Sequence, residues 1–120
     1  TNPLHRRQDD SRMTAQHKAL AAGRWRSFSL AQQLGNVGGE VSRALRWRGR
    51  DRNLSDKAVF RALELLDLSI RDPRWNRRLK ELTRARESLC DAWLGGKEYG
   101  TRLEDLDRYF FAFALLARKL

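Results

Sequence analysis

The chain has little of what most catalytic or disulfide-stabilised proteins depend on. Among 120 residues there is one cysteine, Cys90, and there are two histidines, His5 and His17, and two prolines. A single cysteine forms no internal disulfide and points to a reducing, cytoplasmic setting. Cys90 falls on an apolar helical face with no histidine to activate it, so it reads as a small core residue rather than a nucleophile. No Cys/His cluster has zinc-ligand spacing. The carboxylates do not make the inward Glu and Glu-x-x-His pattern of di-iron bundles. The longest apolar run, Tyr109 to Ala117, is too short to cross a bilayer, and no secretory signal pattern is present. No segment alternates like a strand, and there are no repeats. These absences argue against an enzyme, a metal or other cofactor, and a membrane protein.

Positive charge is plentiful. The formal net charge is +10, from 25 basic and 15 acidic side chains. Twenty of the basic residues are Arg, which suits phosphate recognition but also follows from a GC-rich genome. The charge is uneven. Residues 1–52 carry 11 basic and 4 acidic groups, against 14 and 11 in residues 53–120. Such asymmetry suggests a binding face for a polyanion.

Apolar spacing at three and four residues predicts four helices. The first runs from about Ser29 to Arg48, capped by Ser27 or Ser29, with Leu30, Leu34, Val37, Val41, Ala44 and Leu45 on one face. The second runs from about Leu54 to Arg71, capped by Asn53, with Asp56 in its first turn. The third opens at Asp72-Pro73, an N-cap followed by proline, and places Trp75, Leu79, Leu82, Leu89 and Trp93 inward. The fourth starts at Thr101 to Glu104, which fits a capping box, with Leu103, Leu106, Phe110, Phe113, Ala114 and Ala117 facing the core. Tyr109, Phe111, Leu115 and Leu116 make this helix apolar almost all round, as a central or interface helix would be. Short connections favour antiparallel neighbours. The expected fold is therefore all-α, an antiparallel up-down-up-down four-helix bundle over residues 27–120. Residues 1–26 form a polar, basic N-terminal extension. It is either partly disordered or holds a short helix over Met13–Ala22.

The candidate binding residues fall in two groups. Arg43, Arg46, Trp47, Arg48, Arg50 and Arg52 crowd the exit of the first helix. Arg74, Arg77, Arg78, Lys80 and Arg84 mark the third. Guanidinium groups bond two phosphate oxygens at once, and Trp47 offers a face for an unpaired base. If both groups share one side of the bundle, they form a continuous track. Trp25 and Trp47 both stand between arginines, where cation–π contact alone also accounts for them. The stripe Ala31, Gly35, Gly38, Ser42, with Gly39 beside it, fits tight helix packing within the bundle or between subunits, or close approach of a phosphate or base. The spacing Arg12 to His17 matches the Arg-x4-His of HEPN ribonucleases, although it falls in the extension rather than on a core helix.

In size, charge and helix plan, residues 27–120 resemble the 23S rRNA intervening-sequence proteins and their relatives, the accessory variability proteins of diversity-generating retroelements. No diagnostic motif carries the resemblance, and no family residue transfers by position. It implies a non-enzymatic basic bundle, a homo-oligomer, that binds RNA or DNA and assists a reverse transcriptase or another nucleic-acid-processing protein. The alternatives are an interaction adaptor acting through the apolar fourth helix, and a small ribonuclease or toxin using Arg12 and His17.

Overall fold

The computed structural model describes residues 23–119, which are helical and contain no strand. Four helices carry the fold: α1 (Leu30–Trp47), α2 (Arg52–Ile70), α3 (Leu79–Trp93) and α4 (Leu103–Lys119). A 3-10 helix over Pro73–Arg78 leads into α3, and residues 23–26 form a helical turn ahead of α1. The Met13–Ala22 helix and the Arg12–His17 spacing lie outside the described residues.

Helix starts fall where a side chain can satisfy free backbone N–H groups, except at α3, which continues from the 3-10 helix without a side-chain cap. Ser29 caps α1 in a complete capping box with Gln32. Asp51, not Asn53, caps α2 by accepting from the Leu54 amide at 3.2 Å. The helix therefore starts earlier than the sequence suggests, and Asp56 lies beyond the first turn. Asp72 caps the 3-10 helix at the amide of Arg74. The box expected at Thr101 to Glu104 takes another form. Asp105 accepts from the Arg102 amide at 3.1 Å, and Glu104 turns to Arg48 instead.

The core lies between α1 and its neighbours. Leu34, Val37 and Val41 meet Val59, Ala62 and Leu66 of α2, Leu82 and Leu89 of α3, and Leu106 and Phe110 of α4. Contacts run in opposing register. Gly35 faces Ala114 and Gly38 faces Phe110, while Ser42 donates to Asp107 further along α1. On the other side Ser55 donates to the Ala44 carbonyl and Ser69 to Gln33. Asp67 pairs with Arg86, and Phe60 packs on Trp93. Hence α1 lies antiparallel to α2 and α4, and α2 to α3. A Cβ on Gly35 or Gly38 would stand 3.0 Å from the Ala114 Cα or 2.7 Å from the Phe110 Cβ. Packing against α4 thus accounts for these two members of the small-residue stripe. Gly39 faces open space.

One end of the body is tied by a buried polar hub. Gln33, fully buried on α1, accepts from Ser69 at 2.7 Å and from the Trp75 indole at 2.9 Å, and donates to the Trp25 carbonyl at 2.8 Å. The Trp25 indole donates to Ser69. Trp25, assigned above to the extension, is only 5% exposed and belongs to the core. Burial leaves no open ring face for base stacking, and among the described residues no arginine stands over the Trp25 ring. The 3-10 stretch also changes the phase of the third helical segment. Trp75 departs from helical geometry at φ −106°, ψ 23°, so it is half-buried and Leu79 turns outward. At the far end of α3, Trp93 is 36% exposed rather than a core residue.

Candidate nucleic-acid interface

The turn between α1 and α2 is four residues, Arg48–Asp51. Gly49 has φ +87°, a left-handed conformation that other residues adopt at a cost. The Arg50 and Asp51 amides both donate to the Trp47 carbonyl at 2.9 Å. Two concave surfaces flank this turn. A groove of about 300 Å³ between α1 and α2 is lined by Glu40, Arg43, Trp47, Leu54, Lys57, Ala58 and Arg61. A larger cleft of about 540 Å³ is lined by Arg48, Gly49, Arg50, Arg52, Ser55, Asp56, Val59, Ala92, Trp93 and Leu103.

The first candidate group therefore stays together. Arg43, Arg46, Arg48, Arg50 and Arg52 are exposed around one turn, and Trp47 is half-buried in the α1–α2 groove. Their electrostatic states differ. Arg43 contacts Glu40 at 3.4 Å, a solvent-exposed pair of little strength. Arg48 bonds Glu104 at 3.1 Å. That hydrogen bond raises the affinity of Arg48 for its proton and, with the Glu104 amide, draws the Glu104 carboxyl down to about 2. Arg46, Arg50 and Arg52 have no carboxylate partner among the described residues.

The second group lies elsewhere. The nineteen residues of α2 span about 28 Å at 1.5 Å per residue. They separate the α1–α2 turn from the 3-10 segment at the other end. Arg74 is consumed by the fold. Its guanidinium bonds Asp72 at 2.7 Å and the Phe28 carbonyl at 3.0 Å, and lies 4.4 Å over the Trp75 ring. The same bond to Arg74 holds the Asp72 carboxyl below its usual range, against burial that pushes it up. Arg78 bonds Glu81 at 2.7 Å, and Glu81 also accepts from the Tyr109 hydroxyl, the larger cause of its lowered pKa. Arg84 stacks over Tyr99 at 3.8 Å. Arg77 and Lys80 are exposed without a carboxylate partner among the described residues. The two groups therefore do not join in the continuous track expected if they shared one side of the bundle.

Three residues of the corner are not among the candidate binding residues read from sequence, where Trp93 counted as core. Lys57 and Arg61 come from α2, four apart on one face, and join the groove opposite Arg43. Trp93 comes from the end of α3. Its indole N–H donates to Asp56 at 2.8 Å, and its ring packs against Phe60 with centroids 5.0 Å apart. The four-residue spacing of Lys57 and Arg61 was available as a signal. Their place beside Arg43 depends on helix pairing.

Among the described residues no group of histidine, cysteine and carboxylate side chains could hold a metal, and no helix is long and apolar enough to cross a membrane. No family model, curated protein or solved structure matches the chain.

Proposed function

We propose that this protein binds RNA or DNA through backbone phosphates at the α1–α2 corner and performs no chemistry of its own. One observation carries the reading. Arg46, Arg50, Arg52 and Lys57 are exposed around a single turn, without carboxylate partners among the described residues, on a chain of net charge +10. Arg43 and Arg61 extend the basic surface along the α1–α2 groove. Phosphate contacts fix position without reading sequence, so binding is sequence-tolerant. The opposed helix registers support an up-down-up-down bundle as its scaffold. The resemblance to intervening-sequence and retroelement accessory proteins extends the proposal to a cytoplasmic accessory beside a reverse transcriptase or another nucleic-acid-processing protein. Within it, Arg74 and Arg78 are structural residues, and Arg77, Lys80 and Arg84 lie off the main contact.

The test is titration with labelled single-stranded and duplex oligonucleotides over a range of salt. Neutralising four phosphates lowers affinity about a hundredfold between roughly 50 and 200 mM salt. Replacing Arg46, Arg50 and Arg52 together by Ala removes most of that binding, and Arg77→Ala with Lys80→Ala does not. No binding at low salt, or equal damage from the two sets, refutes the proposal.

A second reading has its own observation. Phe111, Leu115 and Leu116 of α4 are 57%, 43% and 49% exposed. Apolar side chains spaced this way on one helix suit a protein contact, including self-association. We propose a homo-oligomer contact there, with an interaction adaptor as the alternative function. An adaptor would bind its target with little dependence on salt, whereas phosphate binding weakens steeply.

A further inference from the structure

The cleft beside the α1–α2 turn combines features that a bare phosphate does not require. Its lining includes the apolar side chains of Val59, Ala92 and Leu103 and the indole of Trp93, beside the buried Ser55. The Trp93 ring is held by two fixed contacts, the hydrogen bond to Asp56 and the edge-to-face packing on Phe60. The residue as a whole is still 36% exposed. Asp56 lines the cleft as well, and its carboxylate disfavours an anion inside. Arg50 and Arg52 stand at the same cleft, exposed and without carboxylate partners among the described residues, and favour an anion close by. A volume of about 540 Å³ lies within the roughly 300–1,000 Å³ usual for small-molecule pockets. A neutral flat ring carrying an anionic chain satisfies all of these features at once.

We infer that the cleft receives one unpaired base of a single-stranded nucleic acid, stacked against Trp93, with the flanking phosphates on Arg50 and Arg52. The inference rests on the nucleic-acid reading above and narrows it to strands with accessible bases. A base inside a duplex is already stacked and cannot enter. Second, the stacking residue is Trp93, brought from α3, and not Trp47. Base stacking on an aromatic side chain is worth about ten- to a hundredfold in affinity.

The experiment uses the full chain, short oligo-adenylate strands of both sugars, and the deoxy strand paired with its complement. Single strands are expected to bind at least tenfold tighter than the duplex and to quench tryptophan fluorescence. Tighter binding of either sugar supports the cleft and identifies the strand it prefers. Trp93→Phe keeps the packing on Phe60 and is expected to abolish most of the quench, while Trp47→Phe leaves it. Trp93→Leu is expected to remove the single-strand preference and leave duplex affinity unchanged. Equal affinity for single strand and duplex, or an undiminished quench in Trp93→Phe, overturns the cleft assignment and leaves the phosphate reading standing. No binding to any strand overturns both.

Discussion

The Arg48 guanidinium at the exit of α1 and the Glu104 carboxylate in the first turn of α4 lie 3.1 Å apart, 56 positions apart in sequence. The pair ties α1 to α4 at the end where Arg46, Arg50 and Arg52 collect. It also withholds one arginine from any outside anion. Glu104 is drawn from 4.5 to about 2 by this bond and by the helix amide. A carboxylate with a depressed folded-state pKa stabilises the fold above its unfolded value. That contribution is lost as pH falls from 4.5 toward 2. Glu104→Gln is therefore expected to flatten the acid limb of a stability profile in that window. It should also release Arg48, tighten oligonucleotide binding severalfold and steepen its salt dependence. Unchanged affinity in Glu104→Gln would show that Arg48 stands outside the interface.

Arg74 provides the opposite contrast. The Asp72 side chain is 2% exposed and depends on Arg74 for most of its donors. Leaving a buried polar group without its partner costs about 1–3 kcal/mol, with a charged group at or above the top of that range. Arg74→Ala is expected to lower unfolding stability by that amount and leave nucleic-acid affinity within twofold of the parent. Arg50→Ala is expected to do the reverse. Urea unfolding and oligonucleotide titration on the two variants check this directly.

The features visible in sequence were the local ones. Ser29 and Asp72-Pro73 announce helix starts because a cap acts within three residues, and the apolar spacing of α1 and α2 survives folding unchanged. Arg48, Arg50 and Arg52 stay together because one turn contains them. What was hidden depends on distance or on backbone phase. Trp25 enters the core through Ser69 and Gln33, residues 44 and 8 positions away. The 3-10 turn at Pro73–Arg78 moves Leu79 outward, although apolar spacing alone places it inward. Trp93 reads as core on a helical wheel. Its partners Phe60 and Asp56 hold it at the surface. Lys57 and Arg61 look like ordinary solvated charges until α2 folds against α1.

The outer face of α4 carries Phe111, Leu115 and Leu116 into solvent. Exposed positions contribute little to folding, and substitutions there usually fall within about 0.5 kcal/mol. The double variant Leu115→Ser, Leu116→Ser is expected to unfold like the parent. If α4 mediates self-association, this variant sediments as a smaller species at the same concentration. Identical sedimentation of parent and variant removes α4 as the oligomer contact.

Gly38 and Gly39 are adjacent in α1 and should respond to alanine in opposite directions. A Cβ at Gly38 would lie 2.7 Å from the Phe110 Cβ and 3.3 Å from the Phe110 carbonyl carbon. Neither is the free end of a flexible chain, so α1 and α4 must separate. Overpacking of this kind costs about 1–3 kcal/mol. A Cβ at Gly39 meets nothing within 4 Å. There alanine only improves helix propensity, by about 1 kcal/mol. Gly38→Ala is expected to lower the thermal midpoint and Gly39→Ala to raise it. Equal shifts in both variants would mean that α1 and α4 do not approach this closely, and the antiparallel register of the two helices would have to be redrawn.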